Sequence, residues 1–207
     1  MSQFFQIHPE NPQGRLIHRA VDILNGGGLI VYPTDSSYAL GCGMGNKAAQ
    51  DRIRAIRRVD DRHNFTLVCR DLTEISVHAK VDNVAYRLLK GLTPGPYTFI
   101  LTASREVPRR LQNPKRKTIG LRVPDNPIAQ ALLAEVGEPL MSSTLSLPGE
   151  DMPLNDPYEM RDILGHAVDL IIDGGHCGFE PTTVVDLTGS VPEVTRVGGG
   201  DAALFES

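Results

Sequence analysis

Val31-Tyr-Pro-Thr-Asp-Ser-Ser-Tyr-Ala-Leu-Gly-Cys-Gly43 is the stretch from which the fold of this chain can be read. The apolar run at residues 29–32 has the make-up of a short buried strand and stops at Pro33, which has no N–H to give a sheet ladder. Thr34, Asp35, Ser36 and Ser37 follow as four small polar residues, and Tyr38 and Leu40 then return to apolar chemistry. Small hydroxyls between rigid elements serve either as a hydrogen-bonded turn or as a ligand-binding loop, and these residues leave both readings open. The run Gly41-x-Gly43-x-Gly45-x-Lys47 opens a helix, as a phosphate cradle does, but lacks the Gly-Lys-Ser/Thr ending of a P-loop. It reads as a flexible connection.

Outward from this stretch the pattern alternates helices and strands. Residues 15–25 place Leu16, Ala20, Ile23 and Leu24 on one helical face, ended by three glycines. Residues 46–57 predict a helix with Ala49, Ile53 and Ile56 inward and arginines outward. A strand at 66–69 precedes Asp71, which caps a short helix, and Asp82 caps another with Val84, Ala85, Leu88 and Leu89 apolar. Strands are read at 97–103, 118–123, 139–143, 168–172, 183–187 and 191–197. Asn126-Pro127 and Asp156-Pro157 each combine a cap with a first-turn proline. The expected fold class is α/β (α+β), an open mixed sheet with flanking helices and not a pure doubly wound one. Residues 145–156, long and polar, are the segment expected to move.

At 207 residues the chain suits one domain, residues 1–207, and 41% hydrophobic with 22% charged content is ordinary for a globular protein. Residues 1–10 lack the order of a secretory leader, and no apolar run reaches the ~18 residues of a membrane span. Cys42, Cys69 and Cys177 are odd in number and lack zinc-type spacing. The expectation is a cytoplasmic protein with no membrane partner and no metal site.

The net charge of −4 hides an asymmetry. Residues 1–122 carry 19 Lys and Arg against 10 Asp and Glu, whereas residues 123–207 carry 2 against 15. One basic cluster holds Arg52, Arg54, Arg57, Arg58 and Arg62; the other holds Arg105, Arg109, Arg110, Lys115, Arg116, Lys117 and Arg122. Such clusters are either solvated charge runs or the footprint of a polyanion. With no tryptophan in the chain, RNA would be read by backbone and shape more than by base stacking.

Smaller constellations add candidates. Arg57 and Arg58 at a helix end, with His63 and Asn64 close behind, can hold phosphate oxygens or simply complement the helix dipole. Arg122 lies in an otherwise apolar strand, where a charge must meet an internal carboxylate or wait for a ligand's carboxylate or phosphate. Ser142-Ser143-Thr144 and Thr182-Thr183 are further hydroxyl-rich strand ends, which would share one crevice with the 34–37 loop if the sheet edges align. Asp173-Gly-Gly-His-Cys177 reads as a glycine turn.

Pro33 to Gly41 resembles the Pro-Thr-Asp/Glu-Thr-Val-Tyr-Gly-Leu signature of the YrdC/YciO family, and the likeness continues along the chain. Thr93-Pro-Gly-Pro-Tyr-Thr-Phe-Ile-Leu101, Thr118-Ile-Gly-Leu-Arg-Val-Pro124, Asp173-Gly-Gly175, Pro181-Thr-Thr-Val-Val-Asp186 and Val194-Thr-Arg-Val-Gly198 resemble its later blocks in order. The resemblance implies a twisted sheet with a large concave basic surface. It also implies kinship with the threonylcarbamoyl-AMP synthases, which join threonine, bicarbonate and ATP and release pyrophosphate, with Mg²⁺ on the triphosphate.

Carried over by motif, Thr34, Ser36, Tyr38, Arg122 and Thr182 would form a threonine-like pocket, and Arg57, Arg58, His63, Thr118, Ser143 and Arg196 the nucleotide side. Departures stand beside the matches. The family's Lys-x-Arg helix end is Arg57-Arg58-Val59 here, with Arg58 the candidate substitute, a histidine position is Val68, and Ser-x-Asn is Ser143-Thr-Leu145. The pattern is similar to the YciO branch. No catalytic residue is assigned. The expected function is binding of double-stranded or structured RNA, tRNA included, through Arg52, Arg54, Arg109, Arg110, Lys115, Arg116 and Lys117, together with ATP or AMP and an amino acid. The alternative is a synthase, intact or weakened, or an adenylate-forming or carbamoyl-transfer enzyme of altered specificity.

Overall fold

A computed structural model describes residues 1–206. Its strands are β1 (Gln3–Gln6), β2 (Ile30–Tyr32), β3 (Ala39–Gly43), β4 (Thr66–Val68), β5 (Tyr97–Thr102), β6 (Thr118–Arg122), β7 (Leu140–Thr144), β8 (Leu170–Asp173), β9 (Thr183–Asp186) and β10 (Glu193–Arg196). They form one sheet in the order β1-β8-β2-β3-β7-β4-β6-β5-β9-β10. Four neighbouring pairs, β1–β8, β2–β8, β4–β6 and β5–β9, are parallel, and the rest are antiparallel. The mixed α/β architecture is the one expected from the sequence. Among the described residues no helix is long and apolar enough to cross a membrane.

Among the described residues six α-helices flank the sheet: α1 (Gly14–Asn25), α2 (Lys47–Arg57), α3 (Leu72–His78), α4 (Asn83–Leu92), α5 (Pro127–Val136) and α6 (Pro157–Leu164). Their starts follow local chemistry. Asn46, Asp71, Asp82, Asn126 and Asp156 each accept a backbone N–H of the first turn with the side chain, satisfying a donor that the helix leaves free. The helices also show how approximate a predicted face can be. In α1 the buried residues are Ile17, Ala20, Val21 and Leu24, with Leu16 and Ile23 only packed at the margin, and Val84 of α4 is exposed.

Side chains alternate across each strand, so the two faces of the sheet have different fates. Leu67, Met141, Leu121, Phe99 and Val185 face one way, into a core built with Ile53, Ile75, Leu89 and Leu164 from α2, α3, α4 and α6. The opposite face is covered only toward the β1 end. There Ile30, Tyr32, Leu170 and Ile172 pack against α1 and α5 through Ile17, Leu24, Ile128 and Leu132. Past β3 this packing reaches only Leu140 of β7 and Val68 of β4, and among the described residues the rest of that face lies open as the floor of a cleft.

Two strands depart from the sequence reading. The glycine run at 41–45 is not a loose connection: Ala39–Gly43 is β3, paired on both sides. A Cβ at Gly41 would lie 2.6 Å from the Tyr32 ring, so the glycine admits a neighbouring aromatic and does not loosen the chain. Gln3–Gln6, unmarked by any pattern, adds the edge strand β1. The 145–156 segment is closed at its base, where Leu154 N–H donates to Leu145 O and the Asn155 amide exchanges hydrogen bonds with both backbone groups of Cys177, while residues 148–152 are exposed.

Gly198 follows β10, where its N–H donates to Thr183 Oγ1. A Cβ there would meet Pro181 O at 2.1 Å and Thr182 carbonyl carbon at 2.7 Å, both backbone atoms. Gly198→Ala is expected to lower stability by about 1–3 kcal/mol, read as a reduced urea midpoint with unchanged slope. An unchanged midpoint would show that the 181–198 approach can relax.

Candidate functional site

The cleft has a volume of about 430 Å³ and lies on the uncovered half of the sheet. Alternate residues of neighbouring strands form its floor: Thr66 and Val68 of β4, Thr98 and Ile100 of β5, Thr118, Gly120 and Arg122 of β6, and Ser142 and Thr144 of β7. The 34–37 loop closes one end and Arg57 with His63 another, while Thr182 and Arg196 stand at the β9–β10 side. The three hydroxyl-rich strand ends do converge on one crevice.

The opening motif builds its own turn. Thr34 Oγ1 accepts the N–H groups of Ser36 and Ser37, each at 3.2 Å, and donates to Ser37 O at 2.6 Å. This leaves Ser36 Oγ turned toward β6, where it accepts from Arg122 Nη1 at 3.0 Å. Arg122 Nη2 donates to Asp35, and both side chains are only 10% exposed. The strand arginine therefore meets an internal carboxylate and lines the cleft as well. Asp35 has no marker in the sequence as its partner, because 87 positions separate the two.

The other guanidinium groups are also engaged. Arg57 Nη1 donates to Ser143 Oγ at 2.6 Å and to His63 Nε2 at 2.9 Å. Arg196 donates to Thr182 O from Nε and Nη2, at 3.0 and 2.9 Å, and to Thr182 Oγ1 at 3.0 Å. That hydroxyl in turn pairs with Thr98 Oγ1 at 2.8 Å. Arg116 reaches Asp186 and Thr188, each at 2.7 Å. Burial makes the charged form of both Arg57 and Arg196 less favourable, with nearby Arg122 adding to the effect at Arg196. Burial first, then Arg57 and Arg54, hold His63 below its ordinary pKa.

Several sequence-predicted site residues lie elsewhere. Tyr38 is fully buried outside the cleft: its hydroxyl donates to Gly175 O at 2.6 Å and accepts Gly174 N–H at 3.1 Å, fixing the glycine turn behind the 34–37 loop. Arg58 caps α2 in the left-handed conformation, φ 50°, and lies away from the cleft, so it does not replace the cation missing at Val59. Leu145 faces the main core, whereas Val68 does line the cleft.

Nor do the two basic clusters form one free surface. Arg52 is bound to Asp169 and Ala167 O, and Arg54 to Asp51 with its guanidinium over the Phe65 ring. Arg109, Arg110, Lys115 and Lys117 remain exposed on the segment whose Leu111, Asn113 and Arg116 border the cleft. Thr98 and Ile100 went unassigned by the sequence, although their place on one face of a strong strand was a usable signal.

Residues 22–198 match the Sua5/YciO/YrdC family, described as telomere recombination. YciO of Escherichia coli is 60% identical over 205 residues, spanning 99% of this chain and all of that protein. Its crystal structure aligns with a TM-score of 0.95. A threonylcarbamoyl-AMP synthase of Coxiella burnetii is 31% identical over 159 residues, which is 76% of this chain and 84% of that one. P. abyssi Sua5 complexed with L-threonine gives a TM-score of 0.90 at 25% identity, over 99% of this chain and 60% of that chain. The cleft and the motifs that line it are thus those of a family member: the chain belongs to the Sua5/YciO/YrdC family.

Proposed function

We propose that the cleft binds ATP and a small amino acid side by side, as a threonylcarbamoyl-AMP synthase-type site, and that the exposed basic segment beside it engages RNA. One observation carries the first part: Arg57, Arg116, Arg122 and Arg196 converge with Ser36, Thr118, Ser143 and Thr182 on a single cavity of about 430 Å³. That volume falls within the range of small-ligand sites, and arginine forks suit carboxylate and phosphate oxygens. The L-threonine complex of the similar P. abyssi Sua5 and the synthase name of the Coxiella relative support the same ligand classes.

In this reading Arg122 and Ser36 receive the amino acid's carboxylate, and Arg57, Ser143 and Arg196 receive the polyphosphate. Mg²⁺ would come in with the nucleotide, held by its phosphate oxygens. Because the guanidinium groups already have internal partners, the ligand exchanges hydrogen bonds and does not meet bare charges. Cations held around the triphosphate would offset the charge that builds as pyrophosphate leaves.

Calorimetry with ATP tests the binding. Arg57→Ala or Arg196→Ala is expected to weaken it on the order of ten- to a hundredfold, the worth of one or two charge-assisted hydrogen bonds. No ATP binding by the intact protein removes the reading. Pyrophosphate release that requires both threonine and bicarbonate is the expected activity; ATP bound without such release restricts the site to binding.

The RNA part is supported by Arg109, Arg110, Lys115 and Lys117, exposed at the cleft margin with no carboxylate partner among the described residues. Affinity for a short RNA duplex should fall steeply with salt. Alanine at Arg109, Lys115 and Lys117 together should flatten the log–log slope by about 0.7–0.9 for each phosphate that is no longer neutralised. A duplex that fails to bind at low salt defeats this second reading and leaves the first intact.

A further inference from the structure

We propose that His63 is a proton-linked positioning residue at the phosphate end of the cleft: when a phosphate engages Arg57, His63 takes up one proton from solvent and becomes a second cation of the site. The inference rests on the nucleotide reading above and goes beyond it by naming a coupled proton.

The geometry fixes the starting state. Arg57 Nη1 lies 2.9 Å from His63 Nε2, and a guanidinium has donors only. Nε2 must therefore present its lone pair to Arg57, with the ring proton on Nδ1 and the imidazole neutral. Ser143 Oγ lies 3.3 Å from the same nitrogen while accepting the other Arg57 hydrogen bond at 2.6 Å. The three side chains thus form a closed set in which Nη1 serves both acceptors.

Few charges reach the ring. Arg57 and Arg54 come from α2 and Asp60 from the turn after it, β7 supplies the neutral Ser143, and the Phe65 ring stands perpendicular at 5.5 Å. Cations therefore outnumber the single carboxylate, and together with burial they disfavour imidazolium. A phosphate drawn to Arg57 reverses that balance. It competes for Nη1, frees the Nε2 lone pair and brings negative charge beside the ring. A proton added at Nε2 then gives an N–H donor aimed at the same anion. Position 59, where the family resemblance implies a helix-end cation, holds a valine here. His63 supplies the missing charge only when an anion is present.

The sign follows from linkage. A histidine whose pKa is low without ligand and higher with it binds a proton together with the ligand. Affinity therefore rises as pH falls through the interval between the two values, by about tenfold for each pK unit separating them.

The test uses the intact protein with inorganic pyrophosphate and with ATP. Calorimetry in two buffers of different ionisation enthalpy should show net proton uptake near neutral pH. Affinity should tighten from about pH 8 to about pH 6, by about tenfold per pK unit. Because the ligand's own phosphate titrates at about pH 6, the reading is the difference between the two proteins: in His63→Gln the uptake and the pH slope should lose the histidine's share, whatever affinity that variant retains. If the variant fails to fold, the His63 imidazole resonance of the unaltered protein still decides, since pyrophosphate must raise its titration midpoint. Binding with the same proton count and the same pH profile in the unaltered protein and in His63→Gln overturns the proposal and spares the nucleotide reading. Binding of neither ligand at any pH overturns both.

Discussion

Everything in this molecule depends on an uneven covering of one sheet. A strand sends alternate side chains to opposite faces, so each face must be either buried under helices or made compatible with water. Four helices cover one face along its working length, and two cover the β1 half of the other. The uncovered half carries a mixed row: Thr66, Thr98, Thr118 and Ser142 stand beside Val68 and Ile100, and these hydroxyls, with four arginines, give the cleft its polar character. The architecture that leaves a face bare also dictates the chemistry displayed there.

The arginines then raise a problem of their own. A guanidinium half-withdrawn from water needs partners, and in this cleft each has them: Asp35 and Ser36, Ser143 and His63, Thr182, Asp186. Removing one member of a buried ion pair leaves an uncompensated charge, at a cost of about 3–5 kcal/mol, so Asp35 is tied to the integrity of β6 as much as to ligand binding. The internal partners hold the forks in place before anything enters, and this preorganisation reduces what a ligand must order on binding.

How much of this could be read beforehand depended on the range of the interaction. Caps are encoded within three residues, and Asp71, Asp82, Asn126 and Asp156 all cap the helices they precede. The opening motif marked the 34–37 loop and the 118–124 block marked Arg122, and both lie at the cleft. Partnerships across the fold were not legible. Arg52 and Arg54 looked like a free cationic face until Asp169, Asp51 and Phe65 were brought to them. Tyr38 sits in the most recognisable motif of the chain, yet it points behind the loop because the 174–175 turn supplies its hydrogen-bond partners there. Glycines at 41 and 43 suggested looseness, whereas Gly41 answers a steric demand from an aromatic ring on the neighbouring strand.

The β10 strand has a consequence of a different kind. It is one of the sheet's two edge strands, four residues long, with ladder partners on one side only, and it carries Arg196. Arg57 and Arg122, by contrast, are anchored on α2 and on an interior strand. Opening of a folded protein starts where backbone hydrogen bonds are fewest and most exposed, so the cleft has one soft wall and several hard ones. Amide protons around residues 193–196 should exchange with solvent long before those of β6. A ligand spanning from Arg57 to Arg196 would fasten that outer strand to the interior, and its signature would be slower hydrogen exchange at a sheet edge far from the helix that holds the other end.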